Sequence, residues 1–293
     1  MSLMKRIESA LGAAVDGACG PGCPPRLAAA VRHAVFPGGA RIRPQLCLAV
    51  SMACGDDDPL LADAAAAAIE LLHCASLVHD DLPCFDNADL RRGVPTVHKA
   101  YGERLAVLAG DALIVSAFEL VGRAGRVHPW RMGQVLAAVA TGVGMPTGIV
   151  AGQAWECEPK ADLRDYQRAK TGALFTAATV CGAIAAGVPA GPWREFGDWL
   201  GEAYQVADDI RDVAADPAWL GKPVGQDAGL GRPSCAAELG LDGAVRHFEE
   251  LVRRASRAVP DCAGAPMLRQ LVRQESLRLV PQELVPDIVR VVA

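Results

Sequence analysis

The stretch His79-Asp80-Asp81-Leu82-Pro83-Cys84-Phe85-Asp86 decides how this chain folds, because it sets three carboxylates directly after the apolar run Leu71 to Val78. Upstream, from Asp63 to Leu77, apolar residues recur at helical spacing. The pattern predicts a buried helix that ends against solvent or a cavity and delivers the acidic group there. A straight helix would not gather the three side chains, since six residues at 100° each set Asp86 about 240° around from Asp80. Convergence needs a break, and Pro83 supplies one.

A second acidic cluster, Asp208-Asp209-Ile210-Arg211-Asp212, follows the apolar residues Ala203 to Ala207. Asp208 and Asp212 stand i, i+4 on one helical face, so their charges repel unless a cation lies between them. An ordinary surface face would show alternating charge instead of an apolar lead-in. Carboxylate oxygens match the hardness of Mg2+, which borrows its remaining ligands from phosphate and water. Basic residues accompany both clusters: Arg41 and Arg43 after the Gly38-Gly39 turn, Arg91 and Arg92 past Asp89, Lys170 before Thr171, and Lys222 in a Gly-Lys-Pro loop. Guanidinium groups suit bidentate phosphate binding. Acid clusters plus arginines beside Gly-rich turns imply one diphosphate bridged through metal and a second held directly.

The remaining sequence frames these clusters. Of 293 residues, 51% are hydrophobic and 5% aromatic, a composition that suits closely packed helices better than sheets. Helical periodicity also runs through Leu105 to Val121, Leu163 to Ala186 and Trp199 to Val213, and no segment alternates as a strand. Loops are expected at Pro37 to Gly39, Gly93 to Pro95, Pro189 to Pro192 and Gly221 to Gly231. Nothing reads as an interdomain linker or repeat. A net charge of -5 gives no general attraction for nucleic acid or an anionic membrane, so no nucleic-acid partner is expected.

Ten cysteines lack any CxxC pair and read as thiols kept reduced in a cytoplasmic protein. Cys19 and Cys23 offer half of a zinc site without a second pair at ligand spacing. The N-terminus lacks a signal-peptide pattern, and Met1-Ser2-Leu3 ahead of Met4 reads as an expression scar, which leaves residues 4–293 as one domain. Gln134 to Trp155 and Gly172 to Trp193 carry no formal charge and reach membrane-spanning length. Both are rich in Gly and Ala and contain proline, so they are expected to be buried central helices, with no transmembrane segment.

Seven motifs in order then resemble one family: Gly38-Gly39-Ala40-Arg41-Ile42-Arg43-Pro44, Asp80 to Asp86, Arg91-Arg92-Gly93, Gly152-Gln153, Lys170-Thr171-Gly172, Gln205 to Asp212, and Gly221-Lys222. They are similar to the motifs of the trans-isoprenyl diphosphate synthases, or polyprenyl synthetases. With Pro223 to Asp227 included, the wording is most similar to the branch that makes geranylgeranyl diphosphate for carotenoids and bacteriochlorophyll in purple phototrophic bacteria.

The resemblance implies an all-α, single-domain bundle of antiparallel helices around a deep central cavity, the isoprenoid synthase fold, usually as a homodimer. It implies condensation of isopentenyl diphosphate with the allylic dimethylallyl, geranyl and farnesyl diphosphates to give geranylgeranyl diphosphate. The implied cofactor is Mg2+, as three ions, with Mn2+ as a substitute. By resemblance, Asp80 and Asp86, with Asp81 nearby, hold metal on the allylic diphosphate, and Asp208, with Asp209 and Asp212, holds the third ion from the opposite wall. Arg91, Lys170 and Lys222 would contact the allylic diphosphate, while Arg43, His73 and Arg92 would bind isopentenyl diphosphate. Gln153 belongs to the same substrate-binding set, and Thr171 and Gln205 would offer dipoles near the reacting carbons.

Two departures stand out, Ala40 and Gln226, where the family commonly has lysine. Arg41 is expected to compensate for the missing ammonium at Ala40. For product length, a residue five positions before Asp80 lies about 7.5 Å deeper along the helix. That residue is Ala75, followed by Ser76, where farnesyl-producing relatives commonly carry an aromatic. The small pair favours a twenty-carbon over a fifteen-carbon product, with Leu72, Ala68 and Phe118 as candidate floor residues. The alternatives are a farnesyl diphosphate synthase and, from another class, a non-catalytic regulatory subunit, although such subunits tend to lose an Asp-rich motif. A class I terpene cyclase usually mixes Asn, Ser and Glu in its second metal motif, which Asp208 to Asp212 does not.

Overall fold

A computed structural model describes residues 2–160, 162–214 and 234–280. Its axis is helix α4 (Pro59–Asp80), 22 residues long. Asp58 starts it by accepting the Leu61 amide at 3.1 Å, and Pro59 occupies the first turn, where its missing N–H costs nothing. Ala65 to Ala68 are fully buried, and these short side chains let neighbouring helices approach α4 closely from several sides. Those neighbours are α1 (Leu3–Ala18), α2 (Pro25–Val35), α3 (Ile42–Ala53), α6 (Glu103–Ala124), α7 (Pro129–Val143) and α10 (Ala173–Ala185).

Between α4 and α6 the chain makes a small hairpin, β1 (Leu90–Arg91) paired with β2 (Val94–Pro95), and the five-residue helix α5 (Val97–Tyr101). The hairpin corrects the expectation that no strand forms; two-residue strands are too short to leave an alternation in the sequence. After α7 come α8 (Ile149–Trp155), α9 (Leu163–Gln167), a π-helical turn over Arg168–Gly172, and α10. Helix α11 (Gly191–Ala214) carries the second acidic cluster and packs on α10, on the π turn and on α12 (Cys235–Ala258). Helix α12 bends at Gly240, and α13 (Ala265–Leu279) follows.

Backbones touch where glycine permits it. A Cβ on Gly182 of α10 would stand 2.3 Å from the Cys47 carbonyl of α3, and one on Gly201 of α11 would stand 2.5 Å from the Gly172 Cα. The core therefore runs through α3, α4, α10 and α11, as the Ala- and Gly-rich composition led us to expect. The charge-free stretch Gln134 to Trp155 is two helices rather than one central span, since α7 stops at Val143 and α8 starts at Ile149 around a cis Met145-Pro146 bond. Within the second stretch, α10 is the buried helix expected. Among the described residues the helices long and apolar enough to cross a membrane are instead α4 and α6; α4 is mostly buried in the protein, whereas two thirds of the apolar window of α6 is not.

Candidate active site

The end of α4 breaks as Pro83 predicts. The Asp86 amide donates to the Asp80 carbonyl at 2.9 Å, and the Ala88 amide to the Asp81 carbonyl at 3.2 Å, so the loop folds back over the helix terminus. Asp86 thereby comes close enough to raise the Asp80 carboxyl, whose pKa is pushed up chiefly by burial and is opposed by Lys170. Asp80 accepts one short bond, 2.8 Å from Gln153 Nε2, while Lys170 Nζ and Arg91 Nη2 stand off at 3.7 Å and 3.8 Å. Its oxygens thus face two cations without being sealed by either. Asp81 behaves differently: it is buried and takes both Nε and Nη2 of Arg91, at 2.9 Å and 2.5 Å. In this arrangement Asp81 anchors the Arg91 guanidinium through one carboxylate oxygen.

The π turn at Arg168–Gly172 joins the two acidic walls. Such a wide turn inserts an extra residue and re-aims the side chains next to it. Lys170 reaches towards Asp80, and its neighbour Thr171 donates to Gln205 Oε1 on α11 at 2.6 Å. Gln205 Nε2 passes the chain on to Asp209 Oδ1 at 2.9 Å. The Lys170 ammonium is also held by Glu156 Oε1, which accepts the Tyr166 hydroxyl at 2.6 Å, while Glu156 Oε2 lies 3.3 Å from Gln153 Nε2. Gly152, a turn before Glu156, makes the approach possible: a Cβ there would stand 2.3 Å from the Lys170 backbone.

On the second wall the three aspartates separate. Asp208 is the more exposed and pairs with Arg211 at 2.8 Å. Asp209 is buried and accepts Gln205, Gln167 at 3.1 Å and the Cys235 amide at 2.7 Å. Through these three bonds it ties α9, α11 and α12 together, while Asp208 is the more outward carboxylate of the wall. Asp212 is buried one turn beyond Asp208, as the i, i+4 spacing requires. Among the described residues no three His, Cys, Asp or Glu side chains converge on one point. The donor chemistry nevertheless fits Mg2+, because Asp80, Asp86 and Asp208 offer hard oxygens and Asp80 carries no direct cation bond.

A basic group sits beside the first wall. Arg92 donates to the Gly38 carbonyl and lies over Gly39, where a Cβ would fall 2.6 Å from its guanidinium carbon. Arg43 is buried with its guanidinium 4.8 Å from the Phe175 ring centroid and 5.5 Å from that of Tyr204, and its Nε has no hydrogen-bond partner. His73 is driven well below the ordinary 6.5, first by burial and then by Arg43, Arg92, Arg91 and Arg41. Arg43, His73 and Arg92, expected at the isopentenyl diphosphate site, are thus neighbours.

Arg41 lies in a separate network of protein partners. Its Nε meets the partly exposed Glu8 at 2.9 Å, while Nη1 meets Glu70 at 2.7 Å and Nη2 meets the Val35 carbonyl at 2.7 Å in the interior. Against the expectation that Arg41 replaces a lysine at Ala40, each of its three guanidinium nitrogens donates to a protein oxygen. Lys222 and Gln226 lie outside the described residues. Ala75 is buried in α4 and Ser76 donates to the His73 carbonyl at 2.8 Å. Of the floor candidates, Ala68 and Leu72 are buried and Phe118 packs partly buried against the core. Sequence reasoning missed Glu156, Tyr166 and Gln167; only Glu156 left a signal, three positions after Gln153 at the end of the same helix.

Two acidic helix ends bridged by a lysine-bearing turn, with buried arginines alongside, define an all-helical protein built to hold diphosphates. The chain belongs to the polyprenyl synthetase family, whose pattern matches residues 24–263. It is 53% identical to the geranylgeranyl diphosphate synthase of Cereibacter sphaeroides, over 97% of this chain and 99% of that protein. It is 51% identical to the geranylgeranyl diphosphate synthase of Rhodobacter capsulatus, over 93% and 94% of the two chains. Among solved structures, an FPP/GFPP synthase from Zymomonas mobilis matches with a TM-score of 0.79 at 31% identity, over 94% of this chain and 98% of that one. The geranylgeranyl pyrophosphate synthetase of Pyrococcus horikoshii matches at 0.78 and 28%, over 92% and 96%.

Proposed function

We propose that this chain is a geranylgeranyl diphosphate synthase, condensing isopentenyl diphosphate with allylic diphosphates and releasing diphosphate. The observation that supports the reading is the path Asp80, Lys170, Thr171, Gln205, Asp209, which links the two acidic motifs through side-chain contacts. The similarity to the two bacterial synthases supports the twenty-carbon product over the farnesyl alternative. Both acidic motifs are intact, which disfavours a silent regulatory subunit.

Ionisation of the allylic C–O bond creates an allylic cation and a diphosphate carrying about three negative charges, so stabilisation must meet charge that develops in the transition state. Mg2+, three ions by family expectation, would supply Lewis-acid neutralisation of that leaving group while bound to Asp80, Asp86 and Asp208. Lys170 and Arg91 add fixed positive charge beside Asp80. Arg43, Arg92 and a neutral His73 hold the second diphosphate. The Thr171 hydroxyl and Gln205 amide present oriented dipoles that need no reorganisation as the cation forms. The isopentenyl double bond attacks, and the proton lost from the adduct goes to the departing diphosphate. The alanine-rich wall of α4 keeps out water that would otherwise yield an alcohol.

We further propose a homodimer seated on α6, where Val107, Leu108 and Val115 are exposed on a helix with a wide apolar face. The ten thiols suit a reducing cytoplasm. The deciding experiment incubates the protein with Mg2+, labelled isopentenyl diphosphate and each of the five-, ten- and fifteen-carbon allylic diphosphates, then sizes the dephosphorylated products. A twenty-carbon alcohol as the end point supports the reading; fifteen carbons as the end point selects the farnesyl alternative, and no elongation rejects both.

A further inference from the structure

Glu156 has no part in the chemistry derived above, yet it is the most heavily engaged carboxylate next to Asp80. Its Oε1 binds the Lys170 ammonium and takes the Tyr166 hydroxyl at 2.6 Å, and its Oε2 lies 3.3 Å from Gln153 Nε2. Gln153 in turn donates to Asp80 Oδ1 at 2.8 Å, the same oxygen from which Lys170 Nζ is held off at 3.7 Å. Both acid side chains are shielded, with 13% and 14% of their side-chain surface exposed. An ammonium 3.7 Å from a shielded carboxylate would close to a direct ion pair if nothing restrained it. Glu156 is that restraint, and Tyr166 fixes the oxygen that does it.

We propose that Glu156 and Tyr166 form a positioning pair that parks Lys170 beside Asp80 instead of on it, keeping the Asp80 oxygens open to a divalent cation while leaving the ammonium free to turn to the diphosphate. Glu156 touches no reacting atom; it acts through Lys170. The pair belongs to the wider rule that residues behind a metal ligand set its availability.

This rests on Asp80 being a metal ligand, so the test separates the two claims. Inorganic diphosphate is titrated calorimetrically into the full chain at a series of Mg2+ concentrations, and the Mg2+ concentration giving half-maximal diphosphate affinity is read for each variant. Glu156→Gln should raise that midpoint about tenfold, as losses behind a metal ligand commonly do. Glu156→Asp should recover part of the loss, and Tyr166→Phe should shift the midpoint the same way by less. In a Lys170→Ala background the Glu156→Gln shift should vanish, because the competitor for Asp80 is gone. A merely structural role would leave the shift intact there. The proposal falls if Glu156→Gln leaves the midpoint unmoved, or moves it equally without Lys170. Should Glu156→Gln fail to fold, an unmoved midpoint in Tyr166→Phe overturns it. If wild-type diphosphate affinity shows no Mg2+ dependence, the reading of Asp80 itself fails.

Discussion

Arg41 and Glu70 form an ion pair at 2.7 Å with 0% and 2% of their side-chain surface exposed. The pair fastens the turn before α3 to the middle of α4, and Glu8 closes it from α1. Removing one partner would strand a charge in the core. Arg41→Ala is therefore expected to cost about 3–5 kcal/mol in urea unfolding. The affinity of the folded variant for isopentenyl diphosphate, measured by calorimetry, should stay at the wild-type level, while Arg43→Ala should weaken it. A specific loss of isopentenyl diphosphate binding in Arg41→Ala would return that residue to the substrate site.

Gly152 of α8 lies directly against the π turn. An alanine there must displace the Lys170 backbone, which it would approach to 2.3 Å, and overpacking of this kind costs about 1–3 kcal/mol. Gly152→Ala should lower the melting temperature and, by moving Lys170, lower kcat/KM for the allylic diphosphate. Gly12→Ala is the control, because nothing lies within 4 Å of a Cβ there. It should leave activity unchanged and stabilise by about 0.5–1 kcal/mol as a helical Gly-to-Ala change. Equal activity losses in both variants would dissociate Gly152 from Lys170.

What the sequence revealed and what it hid divide along a physical line. Asp80, Asp86, Asp208, Lys170 and Gln205 were legible because each lies in a short local pattern that chemistry constrains, and the break at Pro83 followed from helical geometry alone. Asp81, Asp209 and Arg41 carry the same residue types in the same motifs and also bind protein partners that no motif announces. Arg91 lies ten positions from Asp81, Cys235 lies 26 from Asp209, and Glu70 lies 29 from Arg41. No spacing rule sees such pairings, because they exist only once helices dock. The π turn was hidden for another reason. Leu163 to Ala186 reads as one periodic segment, yet Arg168–Gly172 widens inside it, and the apolar residues on either side are dense enough to mask the shift in phase.

His73 should stay neutral through the physiological range. It keeps some contact with solvent but lies deep among protein atoms, and that burial, ahead of four nearby arginines, sets its pKa well below 6.5. As pH falls below the unfolded value near 6.5, the unfolded chain binds a proton that the folded chain refuses, so stability drops. Urea unfolding between about pH 7.5 and 5 should show this acid loss in the wild type and a smaller one in His73→Gln. Isopentenyl diphosphate affinity should show no titration step near 6.5. A step there, with tighter binding on the acid side, would mean that His73 binds as a cation.

Ala75 lies one turn before His79, and the His79 ring rests where a Cβ on Gly110 of α6 would fall, 2.1 Å from Nε2. Ala75 therefore sits on the α4 face turned towards α6, buried to 1% exposure, five residues before Asp80. A tail extending inward from Asp80 passes that level before a fourth isoprene unit is complete. Ala75→Tyr should shift the main product from twenty to fifteen carbons, read by sizing the dephosphorylated prenyl alcohols. The melting temperature distinguishes two ways of getting there. A ring that occupies tail volume leaves stability nearly unchanged, whereas one forced into packed core costs about 1–3 kcal/mol and depresses all turnover. Ser76→Ala loses only the 2.8 Å bond to the His73 carbonyl and should keep the twenty-carbon product. Undiminished twenty-carbon output from Ala75→Tyr would show that the tail runs elsewhere and would leave Ala75 as ordinary core.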